Sequence, residues 1–388
     1  MTGITAEMKK QKKLEQKEAQ KRMRQISKEN SKVIKKFEKE KKRKKVDPSE
    51  YQTTMKNPEN IIEIDNLQTF FFTDMGTVKS VNGVTLEIPK GKTVALVGES
   101  GCGKSVTSLS MMKLVQGPTG QIVGGEIRYN RKGGPVDIVK TPISEMQHIR
   151  GNEIAMIFQE PMTSLNPIFK IGSQIDETIA LHRPDMSKED IKKQTIEMLK
   201  LVGIARAEGI YDSYPHELSG GMRQRVMIAM SLCCDPQFII ADEPTTALDV
   251  TIQAQILDLL RDIKDKIDAS ILLITHDLGV VAEMADYVVV MYAGKIVEQG
   301  TAHEVFLNPK HPYTMGLIKS KPAVGKTVDR LYSIPGAVPN PVQMPTHCFF
   351  KDRCDKCIEK CKGDIPGLKI IDENHKVACH LYDVKEGK

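Results

Sequence analysis

An eight-residue stretch at 98–105, Gly-Glu-Ser-Gly-Cys-Gly-Lys-Ser, constrains the fold of this chain more than any other feature. It follows the apolar run 93–97 and precedes 106–112, which predicts a buried strand, a glycine-rich loop and a helix. In that context, backbone N–H groups form a concave anion site at the positive end of the helix. A flexible surface turn would explain the glycines but not the strand and helix around them. The stretch therefore predicts a nucleoside triphosphate site.

Two side chains of this loop have predicted roles of their own. Lys104 would reach the β- and γ-phosphates, and Ser105 would supply a hydroxyl to Mg²⁺. The residues expected to surround the phosphates are Gly98, Ser100, Gly101, Cys102, Gly103, Lys104, Ser105 and Val106.

Charge is distributed unevenly along the 388 residues. Residues 1–45 hold 18 Lys or Arg against 6 Asp or Glu, a local charge of +12, while the whole chain carries +6. The remainder is acidic, so the basicity does not indicate a nucleic-acid-binding body. No apolar run approaches the ~18–20 residues of a membrane span, and no apolar segment follows the basic start as in a secretory signal. We expect a cytoplasmic chain that meets a membrane through partners or surface charge.

Composition divides the chain into three predicted regions. Residues 1–57 are a basic extension, either helical or disordered, that could dock on an anionic membrane or on RNA. Residues 58–322 form the main domain. Residues 323–388 contain five of the eight cysteines, which in a cytosolic protein favours a metal site over disulfides.

Short apolar runs alternate with helical patterns in the main domain, which indicates an α/β fold with a parallel sheet. Helices are predicted over much of 171–233 and over the amphipathic stretch 250–267, and a polar turn at 73–76 is expected between the first two strands. The predicted strands include 61–64, 81–88, 124–129, 154–158, 238–241 and 271–274.

Polar residues follow three of these strands. Asp242 could hold Mg²⁺ through water, and Glu243 would face the γ-phosphate and polarise the attacking water as a general base. Gln159 follows another strand and is able to touch both Mg²⁺ and water, while His276 could contact the γ-phosphate. Taken alone, Gln159 and His276 would be ordinary strand-end residues. Together with the phosphate loop, the four side chains indicate hydrolysis of the nucleotide.

The run Leu-Ser-Gly-Gly at 218–221 opens a predicted helix and so provides a second anion site. One triphosphate needs only one such site. A simple helix cap would explain Ser219 but not Gly220 and Gly221. The run therefore predicts that these residues serve the nucleotide of another subunit.

In this order, the phosphate loop, Gln159, the run 218–221, Glu243 and His276 resemble an ABC-type ATPase domain over about residues 60–320. The resemblance implies a RecA-like core with an antiparallel β subdomain and a helical subdomain. It also implies two such domains in a head-to-tail sandwich, with ATP at the interface and competent hydrolysis. By the same resemblance, Asp249 couples the two sites, and an aromatic residue stacks on adenine. Phe71 is the preferred candidate for that residue, with Phe70 and Phe72 as competitors.

The C-terminal part narrows the resemblance. The sequences at 311–314 and 330–336 are similar to the C-terminal extension of oligopeptide/dipeptide importer ATPases, and the Leu-Ser-Gly-Gly-Met run is most similar to their D-type subunit. That family implies an F-type ATPase partner, two transmembrane permease subunits and, indirectly, an extracellular peptide-binding protein. The subunit would lie at the cytoplasmic face of the membrane. The same branch includes nickel and glutathione importers.

Four cysteines, Cys348, Cys354, Cys361 and Cys379, are spaced so that their thiolates could hold Zn²⁺ or a [4Fe–4S] cluster. Spacing alone leaves both open, and Cys357 offers a rival ligand choice. Unliganded thiols are the third alternative. The family resemblance points to these four as ligands of an iron–sulfur cluster.

A soluble ABC-type ATPase that acts on nucleic acid in repair or translation is the alternative of a different class. The basic extension and the cysteines favour it. Such proteins usually carry two ATPase domains or a long coiled-coil insertion, and this sequence has neither. The sequence therefore favours the importer, with nucleic acid an unlikely partner.

Overall fold

The strand, loop and helix predicted around residues 98–105 are present, because strand Thr93–Val97 leads into a helix that begins at Lys104. The structure is a computed structural model. It describes residues 6–43, 46–160, 164–246, 248–320 and 332–383, with the side chains of the first helix from Lys12 onward. Of the residues in the sequence motifs above, Arg330 and Leu331 lie outside this part of the chain.

The helices confirm the predicted helical regions, and one of them has the predicted bounds, 250–267. No helix in the described residues is both long enough and apolar enough to cross a membrane. The helices are α1 (Ala6–Lys41), α2 (Lys104–Met111), α3 (Ile143–Ile149), α4 (Ile171–His182), α5 (Lys188–Leu201), α6 (Ala207–Tyr211), α7 (Gly220–Leu232), α8 (Val250–Ile267), α9 (Leu278–Met284), α10 (Ala302–Leu307) and α11 (Pro312–Lys319).

The strands confirm each predicted strand and add others. The sequence 70–72 lies inside the first strand, so the turn that follows is shorter than predicted. The strands are β1 (Asn60–Thr73), β2 (Gly76–Pro89), β3 (Thr93–Val97), β4 (Gly120–Tyr129), β5 (Val136–Asp137), β6 (Ile154–Ile157), β7 (Phe238–Asp242), β8 (Ser270–Ile274), β9 (Tyr287–Tyr292), β10 (Lys295–Thr301), β11 (Lys369–Asp372) and β12 (His375–Val377).

An eight-stranded sheet in the order β11–β12–β10–β9–β3–β8–β7–β6 forms the centre of the fold. Strands β9, β3, β8, β7 and β6 are parallel. Every residue of β3, β7 and β8 is buried, as expected for strands covered on both faces. Because carboxyl ends of parallel strands meet at one edge, the phosphate loop, Asp242, Gln159 and His276 are brought to the same edge.

A four-stranded antiparallel sheet, in the order β2–β1–β4–β5, packs over one face of this arrangement. Its apolar residues share a core with β3, β7 and β8. Helices α4 to α8 build a second core with the other face of the large sheet. The fold therefore has an α/β core, an antiparallel subdomain and a helical region, as predicted.

Helix α1 packs the second half of its length on the antiparallel sheet. The Asn30 side-chain amide donates to the Thr73 carbonyl (2.9 Å), and the Gln121 amide donates to the Glu38 carboxylate (2.7 Å). The side chains from Lys12 to Gln25 are exposed. Of the two states that the sequence left open for the basic extension, the structure has the helix.

The C-terminal segment shares both a core and a sheet with the main domain. Phe349 and Phe350 pack among buried residues of β3, β9 and α11. Strand β12 pairs with β10, and there the fully buried His375 lies 2.7 Å from the carboxylate of the fully buried Glu298. Residues 332–383 are therefore joined to the large sheet and its core.

Candidate nucleotide site

The phosphate loop requires glycine at two positions because other chain segments approach its backbone closely. A Cβ at Gly98 (φ +152°) would lie 2.1 Å from the Met291 carbonyl oxygen. A Cβ at Gly103 (φ +109°) would lie 2.3 Å from the Ser80 carbonyl oxygen. Both contacts are impossible for a larger residue. The loop thus lies against β2 and β9 with only its outer face open.

Lys104 is held along the inside of this loop. Its side chain is buried, and Nζ donates to the carbonyl oxygens of Gly98 (2.8 Å) and Glu99 (3.2 Å). Both acceptors are neutral carbonyls, so neither bond pairs the ammonium group with an opposite charge. The side chain is therefore placed to exchange these carbonyls for phosphate oxygens.

The predicted Mg²⁺ ligands Ser105 and Asp242 are in contact although they are far apart in sequence. The Ser105 hydroxyl donates to Asp242 Oδ1 (3.2 Å), and Ser108 donates to Oδ2 (3.3 Å). Burial raises the pKa of Asp242, while the two hydroxyls oppose that rise. A buried carboxylate next to hydroxyl oxygens is the donor set that suits Mg²⁺, so the residues fit that ion.

Glu243 is the centre of a second polar cluster. Its Oε2 accepts from the Gln159 amide (2.8 Å) and from Thr246 Oγ1 (2.9 Å), and its Oε1 lies 3.4 Å from His276 Nδ1. Its backbone is in the left-handed region (φ +48°), held by an N–H bond to the Ile274 carbonyl (2.8 Å). The structure thus brings together the three side chains predicted for the γ-phosphate end of the site.

The run 218–221 lies in the helical region, at the start of α7. The Ser219 hydroxyl caps that helix by accepting from the Met222 N–H (3.3 Å). Ser219 and Gly220 are exposed, and a Cβ at Gly221 would meet only the Ile252 side chain, at 3.3 Å. Asp249 is also exposed and caps α8 through the Ile252 N–H (3.0 Å). These four residues make their contacts within the helical region.

The remaining residues predicted for the nucleotide site lie in the phosphate loop, at the start of α2 and in β1. Ser100 and Gly101 are exposed, Val106 is half-buried, and burial of Cys102 raises the pKa of its thiol. Phe71 is half-buried, with its ring so close to Gly120 that a Cβ there would lie 2.8 Å from Cε1. Adenine stacking by Phe71 stays a prediction.

The predicted cluster cysteines lie on adjoining segments. The Cys348 N–H donates to the Cys361 carbonyl (3.3 Å), and burial raises the pKa values of the Cys348 and Cys354 thiols to about 11. The charges of Cys361 and Cys379 contribute to both shifts, so the four thiols are within electrostatic reach of one another. No three His, Cys, Asp or Glu side chains of the described residues are positioned around a single metal ion.

Sequence reasoning missed several residues at this site. Ser108 lies one turn after Ser105 on α2, and Thr246 lies three residues after Glu243, so both could have been found from helical and loop spacing. Arg353 could not. Its guanidinium contacts the Glu99 carboxylate of the phosphate loop from 254 positions away, and nothing local signals that contact.

Known families match both parts of the chain. Residues 81–246 match the family model described as ABC transporter, and residues 297–361 match the model described as oligopeptide/dipeptide transporter, C-terminal region. Among solved structures, the ATP-binding cassette MJ0796 in a dimeric post-hydrolysis state bound to ADP and Pi gives a TM-score of 0.56 at 25% identity. The alignment covers 62% of this chain and 98% of the MJ0796 chain. The fold and the site therefore define an ATPase of the ABC class.

Curated relatives specify the branch. The oligopeptide transport ATP-binding protein AppD of Bacillus subtilis (strain 168) is 51% identical over 323 residues, which are 83% of this chain and 97% of AppD. The dipeptide transport ATP-binding protein DppD of the same organism is 47% identical over 325 residues, covering 84% and 96%. The chain belongs to the family of oligopeptide and dipeptide transport ATP-binding proteins.

Proposed function

We propose that this chain is the ATP-hydrolysing subunit of an ABC importer of oligopeptides or dipeptides. The names of the curated relatives and the match of residues 297–361 to the oligopeptide/dipeptide C-terminal region support this substrate class. Nickel or glutathione remains the alternative cargo within the same branch. The nucleic-acid alternative gains nothing from these comparisons, because the relatives are transport proteins.

The arrangement of the site supports a separate role for each side chain in hydrolysis. Lys104 would bind the β- and γ-phosphates, and Ser105 and Asp242 would hold Mg²⁺, which neutralises charge on the phosphate oxygens. Glu243 would accept a proton from the attacking water, with its carboxylate oriented by Gln159 and Thr246. His276 would contact the γ-phosphate beside it. Together these side chains would bind the phosphates, orient the Glu243 carboxylate and accept one proton from the attacking water.

The observation that carries the proposal of a composite site is the exposure of Ser219 and Gly220. A helix N-terminus with free N–H groups binds anions, and here it opens to the surface of the helical region. In a head-to-tail pair, these residues would close over the partner's ATP, and Asp249 would link the two sites. We propose an F-type ATPase as that partner.

The other partners follow from the importer function. ATP binding would close the two ATPases and drive two permease subunits from inward- to outward-facing, at the cytoplasmic face of the membrane. The segment after Gln159 carries the exposed apolar residues Ile168 and Phe169, which support its assignment as the contact with the permeases. An extracellular peptide-binding protein would deliver the cargo.

We further propose that Cys348, Cys354, Cys361 and Cys379 hold a [4Fe–4S] cluster, which supplies structural or redox chemistry when bound. The same four thiolates could instead hold Zn²⁺, which is the alternative that the sequence leaves open. The family resemblance supports the cluster.

A substitution at Ser219 tests the composite site. Ser219→Glu would place a negative charge where the partner's γ-phosphate binds, whereas Ser219→Thr retains the capping hydroxyl. We expect the isolated Ser219→Glu chain to bind ATP as the wild type does. The assembled transporter carrying it should lose ATP hydrolysis and peptide uptake into proteoliposomes by on the order of 100-fold.

The Ser219→Thr complex should retain both activities. Robust hydrolysis by a strictly monomeric wild-type chain would overturn the composite site. A reconstituted complex that hydrolyses ATP but accumulates no peptide would overturn the proposed cargo.

A further inference from the structure

The C-terminal segment reaches the phosphate loop through one ion pair. Arg353 Nη1 donates to Glu99 Oε2 (2.7 Å), and Nη2 donates to Glu99 Oε1 (2.9 Å). Two parallel bonds of this kind fix both the distance and the orientation of the two groups. Glu99 is the second residue of the phosphate loop, and Arg353 directly precedes Cys354.

The arginine is itself held in place by its surroundings. Its side chain is 5% exposed, and Nε donates to the Pro335 carbonyl (2.9 Å). Nη1 also lies 3.3 Å from the Tyr292 hydroxyl, and the guanidinium carbon is 5.8 Å from the centre of the Phe350 ring. A charged group with this many partners has one position and one orientation.

Glu99 is tied at its backbone as well. Its N–H donates to the Tyr313 hydroxyl (2.8 Å), and its carbonyl accepts from Lys104 Nζ (3.2 Å). When Lys104 turns to a phosphate, the bond to the Glu99 carbonyl is lost. Arg353 and Tyr313 then remain to hold this part of the loop.

We infer that Arg353 is a positioning residue for ATP binding, supplied by the C-terminal segment to the phosphate loop. It fixes Glu99 and neutralises a carboxylate that stands next to the site of a triphosphate. Without it, Glu99 carries an unpaired negative charge beside three phosphate groups, and like charges at short range repel. The C-terminal segment therefore completes the nucleotide site of its own chain.

Charge variants separate this role from ordinary stabilisation. In the full-length chain, Arg353→Gln should weaken binding of a fluorescent ATP analogue by on the order of tenfold. Glu99→Gln leaves the Arg353 guanidinium unpaired but places no negative charge beside the phosphates, so it should weaken binding less than Arg353→Gln does. The double variant should bind within about threefold of wild type. A contact that only stabilises the fold would lower the unfolding temperature of Arg353→Gln and leave its affinity for the analogue unchanged.

Arg353→Lys extends the test if Arg353→Gln does not fold. The lysine keeps the charge but loses the two-bond geometry, so its ATP affinity should fall by about threefold or less. Thermal unfolding of each variant, followed in parallel, reports folding independently of nucleotide. The inference is overturned if folded Arg353→Gln binds ATP like wild type, if the double variant is as weak as Arg353→Gln, or if folded Arg353→Lys loses as much affinity as Arg353→Gln.

This inference rests on ATP binding and not on the identity of the cargo. Lys104→Ala serves as the control that removes the phosphate-binding ammonium in every background. A wild-type chain that does not bind the analogue would contradict the ATPase site itself. Normal binding with no effect at Arg353 would contradict only the positioning role.

Discussion

Gln159 donates its side-chain amide to the Glu243 carboxylate over 2.8 Å, across 84 positions of sequence. The same oxygen also accepts from Thr246. Gln159→Ala would leave Glu243, the proposed general base, with one of these two donors, and we expect kcat of the assembled ATPase to fall by on the order of tenfold. ATP affinity should stay within about twofold, because the contact is not to the phosphate loop.

Gln159→Glu provides the sharper comparison. It places a second carboxylate against Glu243, so the loss in kcat should exceed that of Gln159→Ala. Steady-state hydrolysis and equilibrium ATP binding measure the two quantities separately. Equal kcat values for the two variants would argue against an orienting role for the amide.

Ser105 and Ser108 both donate to Asp242, but only Ser105 is exposed on the open side of the loop. Ser105→Ala should raise the Mg²⁺ concentration for half-maximal hydrolysis by on the order of tenfold, since it would remove the proposed metal ligand. Ser108→Ala is the matched control and should change it by less than about twofold. A Mg²⁺ titration of both variants decides whether the ligand is Ser105.

His311 gives the chain an acid-sensitive contribution to stability. Burial lowers its pKa from 6.5 to about 3, and its Nδ1 accepts from the Tyr313 N–H (3.0 Å). Below pH 6.5, His311 takes up a proton in the unfolded chain but not in the folded chain. The free energy of unfolding therefore falls as pH drops from 6.5 towards 3, by up to about 1.4 kcal/mol per pH unit.

His311→Asn keeps an acceptor that suits a helix N-cap but does not titrate. Its unfolding free energy should therefore decrease less steeply between pH 6.5 and pH 5 than that of the wild type. Neighbouring Glu298 and His375 are present in both proteins, so the comparison isolates His311. Parallel slopes in denaturant titrations would show that His311 is not the source.

Substitution of a proposed cluster ligand and substitution of Cys357 should affect the bound iron differently. Protein purified without oxygen should be brown and contain about four iron atoms per chain, and Cys348→Ser should lose both. Cys357 is exposed and outside the proposed ligand set, so Cys357→Ser should retain the colour. Colourless protein with one zinc ion would contradict the cluster.

Most of the sheet and the core of the site were predictable from sequence because their signals are local. Helix α8 begins and ends where the amphipathic pattern does, at Val250 and Ile267. Ser105 and Asp242 meet because Asp242 ends one parallel strand and Ser105 lies in the segment after its neighbour in the same sheet, and the carboxyl ends of parallel strands share one edge. Neither conclusion needed a long-range contact to be known in advance.

The contacts that sequence reasoning missed depend on how distant segments pack. Asn30 and Glu38 of the helical basic extension have partners on the antiparallel sheet, whereas charge patterning alone left disorder open and favoured it. Arg353 meets Glu99 because the C-terminal segment lies against the phosphate loop, and no local sequence pattern predicts that contact.

The pairing of β12 with β10 also has a consequence for the solubility of the protein. Strand β10 would otherwise be the last strand of the large sheet, with its outward backbone groups open to strands of other molecules. The hairpin Lys369–Val377 occupies that edge, and the buried contact between His375 and Glu298 fastens it there. A chain that ends before the hairpin would therefore expose the outward backbone groups of β10 as a template for self-association.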